Sequence, residues 1–306
     1  MKRKIITGLV LTWAGLAFSA GAQDSGTMNL PNLPTPTLGG LHLWADVRWQ
    51  DGWRIQKHVW TGHHRLLDPS GVRRAWGGLN GCLKSLPEGE AERENDRVVI
   101  LVHGLARTRW SMKALANDLE TEGRETICVS TANTRREPEA VAADLEALLD
   151  HLVGVEQVTF VTHSLGSIVV RELLARPGVW KDRMVVEDAV LLGPPSRGAA
   201  LARRLRSNPL TRLLAYVTLG DAVEVLAHTP EEVAPPWPEG TPGMVIAGMR
   251  GRTFGWNPLV PGDDDGVVGI SETRLEGTDW IAVEGFHTYL MNRPRVRELI
   301  RERLGE

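Results

Sequence analysis

From Arg97 onward, short runs that are apolar on both faces alternate with stretches whose apolar residues recur at helical spacing. The apolar runs are Arg97 to Val102, Thr126 to Val129, Gln157 to Thr162, Met184 to Leu192, Met244 to Ala247 and Trp280 to Val283. The helical stretches are Trp110 to Glu122, Pro138 to Leu152, Leu165 to Ala175 and Arg295 to Leu304. On the second of these, Val141, Leu145, Leu148, Leu149 and Leu152 share one stripe. A strand without a polar face must be covered on both sides, and parallel neighbours are joined by crossover helices. The pattern predicts an α/β fold over residues 97–306, with a mostly parallel sheet of about six strands and helices on both faces.

The first 96 residues read differently. Lys2, Arg3 and Lys4 precede a mostly apolar run from Ile5 to Ala20, and Ala20-Gly21-Ala22 fits a small-residue cleavage site. This predicts a signal peptide over 1–22 and an exported chain, periplasmic or secreted. The alternative is an uncleaved membrane anchor. Against it, the run is short and broken by Thr7, Thr12 and Ser19. Residues 23–40 have a linker composition. A β-rich extension is expected over 41–96, where Trp44 to Gln50 and Arg54 to Trp60 flank Asp51-Gly52, a hairpin turn signal. Trp44, Trp49, Trp53, Trp60 and Trp76 all lie in this first third. Packing on a half-exposed sheet explains them, and a sugar-binding platform is the rival. Cys82 and Cys128 could pair in an oxidising compartment, or Cys128 could be a buried small hydrophobe in its strand. A net charge of −3 offers no basic excess for nucleic acid.

The chemistry concentrates where a strand meets a helix, at Val161-Thr162-His163-Ser164-Leu165-Gly166. A serine on a tight strand-to-helix turn projects its hydroxyl above the sheet edge at a helix N-terminus, provided small residues flank it. Thr162 stands where the usual Gly-x-Ser-x-Gly pattern has its first glycine, and Gly166 supplies the second. Simple helix capping by Ser164 is the bland alternative. His103-Gly104-Leu105 ends the first core strand, where a second oxyanion donor is expected. The two donors are assigned to the backbone N–H groups of Leu105 and Leu165, with His103, Gly104 and Gly166 in support.

A serine nucleophile needs a base, and the base needs an orienting carboxylate. His287 follows the last strand on a Gly-bearing loop and is the best base. Upstream lies Asp263-Asp264-Asp265-Gly266, where mutual repulsion should let only one carboxylate face the imidazole. Asp265 is preferred and Asp264 is the alternative acid. A solvated acidic turn or a cation site is the competing reading of the cluster.

Taken together, His103-Gly104-Leu105, Thr162-His163-Ser164-Leu165-Gly166, Asp265-Gly266-Val267-Val268 and His287 resemble bacterial lipases and esterases of the α/β-hydrolase superfamily. The spacing from Asp265 to His287 is similar to that of the Pseudomonas and Burkholderia lipases. The resemblance covers about residues 97–306. It implies a Ser164–Asp265–His287 triad, oxyanion donors at Leu105 and Leu165, and a small-molecule or lipid ester as substrate. Those lipases carry a structural calcium site with an aspartate two residues after the catalytic histidine. Tyr289 occupies that position here, so calcium is not expected in the same way, and with no zinc spacing, phosphate-binding glycine loop or dinucleotide fingerprint no metal or cofactor is expected. Residues 194–242 form an insertion before the next strand. Leu201 and Leu205, then Leu210, Leu213, Leu214 and Val217, have helical spacing, as in a mobile lid that contacts lipid or in a fixed cover. The same scaffold also serves amidases, thioesterases, acyltransferases and catalytically idle binding proteins.

Overall fold

The computed structural model describes residues 35–36, 42–89, 95–134, 136–207, 225–227 and 233–305. The expected signal peptide, nearly all of the linker and the middle of the 194–242 insertion lie outside them. In chain order the elements are β1 (Thr35–Pro36), β2 (Trp44–Gln50), β3 (Trp53–His58), β4 (His64–Leu67), β5 (Val72–Gly77), α1 (Leu79–Lys84), β6 (Arg97–Val102), α2 (Lys113–Thr121), β7 (Thr126–Val129), α3 (Pro138–Leu149), β8 (Gln157–His163), α4 (Leu165–Ala175), β9 (Val185–Leu192), α5 (Ala200–Ser207), β10 (Met244–Met249), β11 (Asp279–Glu284) and α6 (Pro294–Gly305).

The six later strands form one parallel sheet in the order β11-β10-β9-β8-β6-β7. Their two faces are buried against different helices. On β6, Val98, Ile100 and Val102 join a core built with α3 and α4, while Val99 and Leu101 join one built with α2 and α6. That period of two is why the run reads as apolar throughout. From β6 the chain steps outward to β7, then crosses back to β8 on the other side. The loops leaving β6 and β8 therefore diverge, and the crevice between them opens at the carboxyl end of the sheet. Open α/β sheets place their ligands at this reversal.

The N-terminal region is a separate antiparallel sheet, β1-β5-β4-β3-β2. Asp51 and Gly52 both have positive φ (47° and 81°), as the β2–β3 turn requires. The expected hairpin is thus part of a larger sheet. It extends past the second expected strand to Gly77 and takes in Thr35 and Pro36 from the expected linker. It is fastened to the parallel sheet where β7 ends. Asp46 donates its N–H to the Ser130 carbonyl at 2.9 Å, and its carboxylate accepts the Ser130 N–H at 2.7 Å. The tryptophans divide. Trp53 packs on the small core of this sheet and Trp44 lies edge-on to His58, whereas Trp60 and Trp76 are exposed. Cys82 and Cys128 are both free and buried in different cores, and burial pushes each thiol up to about 11.

Within the insertion, α5 carries Leu201 and Leu205, while Leu210 to Val217 lie outside the described residues. One side chain holds both ends of the insertion. Arg171 of α4 is buried and donates to the Ser196 carbonyl at 3.2 Å near the start. It also donates to the carbonyls of Ala234 (2.8 Å) and Pro235 (2.8 and 2.5 Å) near the end. Burial pulls its guanidinium down to about 10, still charged at neutral pH. Arg171→Leu should strand these carbonyls. The expected loss is about 2–4 kcal/mol, at about 1 kcal/mol or more for each stranded acceptor. Thermal unfolding and limited proteolysis check it: the melting point falls and new cleavage appears between residues 196 and 234. Cleavage and melting identical to wild type would remove the anchoring role.

Candidate active site

Ser164 follows β8 directly and precedes α4, with φ 53° and ψ −122°. This is a conformation that residues with a Cβ rarely hold. The serine N–H is fixed by the Leu192 carbonyl at the end of β9, at 2.9 Å. Its side chain makes no capping bond to α4, which disposes of the helix-cap reading. The helix must start this close to β6: a Cβ on Gly166 would lie 2.7 Å from the Val102 carbonyl oxygen and 2.9 Å from that of His103. Thr162 is accommodated in place of the usual glycine because its side chain is fully buried and its hydroxyl pairs with that of Ser167 at 2.7 Å.

The turn after β6 lies against the serine. A Cβ on Gly104 would sit 3.0 Å from the Ser164 Cβ. Ala106 in this turn also has positive φ, 53°. Leu165 is the first residue of α4, so its N–H has no acceptor within the helix. Among the described residues the Leu105 N–H has none either. The loop after β7 braces the turn from behind. The Asn133 amide donates to the His103 and Gly104 carbonyls, both at 3.1 Å, and the Ala106 N–H donates to the Thr134 hydroxyl at 3.2 Å. His103 is buried with one tautomer: Nε2 accepts the Thr131 N–H at 3.2 Å, so Nδ1–H donates to the Gly104 carbonyl at 2.9 Å.

His287 and Asp265 meet across the ends of β10 and β11. Nδ1–H of His287 donates to Asp265 Oδ2 at 2.7 Å, and the His287 N–H donates to the Asp265 carbonyl at 2.8 Å. Asp265 Oδ1 accepts the N–H groups of Val267 (3.0 Å) and Val268 (2.8 Å), so both carboxylate oxygens are committed. The other two aspartates turn away. Asp264 is fully buried and its Oδ1 accepts the amides of Trp256, Asn257 and Gly266. Burial pushes its carboxyl upward, against the pull of those amides. Asp263 accepts the amides of Arg250, Gly251 and Arg252. Asp264, the alternative acid, is therefore a loop brace. The cluster is neither a solvated turn nor a convergent cation site, because its carboxylates point to different amides. Among the described residues no group of three or more His, Cys, Asp or Glu is arranged to hold a metal.

The imidazole is joined to the serine region through Gly193, Arg107 and His163. Gly193, next to the Leu192 that holds Ser164, has φ 54°, and a Cβ there would lie 3.1 Å from His287 Nδ1 and 3.2 Å from Asp265 Oδ2. The Arg107 guanidinium donates to the Thr288 carbonyl at 2.7 Å. His163 Nε2–H donates to the His287 carbonyl at 2.9 Å. With no acid beside it, burial above all and the neighbouring His287 hold His163 far below the usual histidine range. It is a neutral donor that fixes the backbone of His287. Arg107, Asn133, Gly193 and the donor role of His163 went unforeseen in the sequence. The one local signal was Gly193 at a strand end just before Pro194-Pro195.

Buried neutral histidines make stability depend on pH. Burial lowers His103 to about 4, against about 6.5 when unfolded. Above pH 6.5 neither state is protonated there. As pH falls from 6.5 toward 4 the unfolded chain takes up protons that the folded one refuses. Stability should fall through that window by roughly 3 kcal/mol from His103 alone, and His163 adds to it in the same direction. Urea midpoints at pH 7.5, 6 and 5 test this, and a midpoint unchanged from pH 7.5 to 5 would contradict it.

A cavity of about 780 Å³ is lined by Arg171, Ser196, Trp237, Arg274 and their neighbours, and none of Ser164, Asp265 and His287 lines it.

The parallel sheet with its serine turn defines an α/β-hydrolase fold, shared with bacterial lipases and esterases. The structure is similar to the mature form of Bacillus licheniformis lipase BlEst2, with a TM-score of 0.51 and 18% identity over 71% of this chain and 95% of that one. It is also similar to the metagenomic carboxyl esterase MGS0156, with a TM-score of 0.52 and 16% identity over 75% and 80%. Among curated proteins none matches in sequence. Residues 69–245, more than half of the chain, match the family described as "Domain of unknown function (DUF7379)", and the chain belongs to that family.

Proposed function

We propose that this protein is an exported serine hydrolase that cleaves carboxylic esters through an acyl-enzyme on Ser164. The observation that carries the reading is the 2.7 Å bond from His287 to a fully committed Asp265, packed against Gly193, whose neighbour Leu192 holds a serine at positive φ. In this reading His287 Nε2 takes the hydroxyl proton as Ser164 Oγ attacks the ester carbonyl. Asp265 stabilises the imidazolium and keeps Nδ1 protonated. The N–H groups of Leu105 and Leu165 receive the oxyanion, helped by the dipole of α4. His287 then protonates the departing alcohol, and water enters to release the acid by the reverse proton path. Export rests on the basic and apolar pattern of residues 1–22.

The test pairs fluorophosphonate labelling with hydrolysis of a p-nitrophenyl ester series. Wild type should label at Ser164 and turn over esters, and Ser164→Ala should do neither. Turnover of thioesters or amides with esters untouched would reassign the substrate class. Folded protein that neither labels nor hydrolyses would mark a binding protein.

A further inference from the structure

Two of the three adjacent aspartates have no part in the reaction scheme, yet both are spent on one loop. Residues 250–262 connect β10 to the Asp263–Asp265 turn. Asp263 gathers the amides of Arg250, Gly251 and Arg252, and Asp264 those of Trp256 and Asn257. The Gly255 N–H donates to the Gly262 carbonyl at 3.0 Å, and the Asn257 side chain donates to the Gly266 carbonyl at 2.9 Å. A Cβ on Gly255 would collide with the Asp264 carboxylate, so the packing admits only glycine. The loop is held by these bonds along its length, and still it presents Phe254, Trp256 and Leu259 to solvent. Exposed aromatic surface on a braced loop is a mark of recognition.

The position narrows what is recognised. The Trp256 ring packs on Phe286, with centroids 4.2 Å apart, and Phe286 immediately precedes His287. Phe286 is itself about half exposed, so the pair offers an open apolar surface on the segment that carries His287. The Arg250 guanidinium carbon lies 4.9 Å from the Trp256 ring centroid, within cation–π reach. A general acid must reach the oxygen of the group that leaves. In the ester-hydrolase reading, a surface on the His287 segment is the one placed to meet the alcohol half of an ester, as the oxyanion turn is to meet the carbonyl.

Resting on the ester-hydrolase reading, we propose that Trp256 and Phe286 determine specificity by binding an aromatic or bulky apolar alcohol group of the substrate. The experiment compares methyl, benzyl and naphthylmethyl acetates, which share one acyl group, with a second series of methyl esters of rising acyl length. Wild type, Trp256→Ala, Trp256→Phe and Phe286→Ala are assayed for kcat/KM and for fluorophosphonate labelling. The expected loss in the two alanine variants is at least about 10-fold larger for benzyl than for methyl acetate. It does not grow with acyl length, and Trp256→Phe recovers most of it.

Equal losses on every ester, or losses that track acyl length, overturn the assignment while the labelled serine leaves the hydrolase reading standing. Losses seen only on emulsified substrate overturn it in favour of a lipid surface. Absence of labelling in wild type removes the hydrolase reading and this inference with it.

Discussion

Replacing Ser164 with glycine is expected to abolish ester hydrolysis and make the protein more stable. The two effects have separate causes in one residue. Loss of the hydroxyl removes the proposed nucleophile, and activity should fall by about 10⁴-fold or more. The backbone at φ 53°, ψ −122° costs a residue with a Cβ about 1–3 kcal/mol, and glycine relieves most of it. Part of that gain is offset by the greater freedom of glycine in the unfolded chain, about 0.5–1 kcal/mol. The net gain should be about 1 kcal/mol, seen as a melting point higher by about 2 °C. Ser164→Ala keeps the Cβ, so it should be equally inactive without that gain. Calorimetry and an ester assay on the two variants are sufficient. Hydrolysis surviving in either variant would sink the nucleophile, and equal melting points would sink the strain argument.

Asp265→Asn should lose about 10⁴-fold in kcat with the fold intact, whereas Asp264→Asn should stay within about 10-fold of wild type. The reason lies in what each carboxylate accepts. Asp265 Oδ1 takes the amides of Val267 and Val268, so an asparagine would set its carbonyl there and turn its NH₂ toward His287. Facing a donor, Nδ1 must become the acceptor, and the proton moves to Nε2, where it blocks uptake of the serine proton. The three amides at Asp264 converge on Oδ1, and an asparagine carbonyl can receive them with little rearrangement. Steady-state kinetics with circular dichroism as a folding check will decide. Equal losses at both positions, or a mild one at Asp265, would mean that the imidazole is oriented by something else.

The contrast between these neighbours marks how far the sequence could be read. The strands of the parallel sheet were legible because burial on both faces leaves a local signature, and β6 carries it in Val98 to Val102. The helices were legible by period, though the first turn before Lys113 is 3-10 and α3 ends at Leu149 instead of Leu152. The N-terminal sheet was half legible. The Asp51-Gly52 turn announces itself, but β4 and β5 are short, polar on one side, and pair through contacts that local pattern does not encode. Ser164 was legible because strand, tight turn and helix are contiguous.

What the chain order alone determined is the set of parts: a serine at a strand-to-helix junction, a His-Gly turn upstream, an acidic triplet and a late histidine, delivered in sequence to one end of a parallel sheet. Tertiary structure decided which member of the triplet faces the imidazole, that His163 and Arg107 hold the loop that carries His287, and that Arg171 ties both ends of the insertion. Those choices depend on backbone amides and carbonyls brought together from positions far apart in the chain. Every residue type carries the same amide and carbonyl, so no spacing of side chains could have announced them.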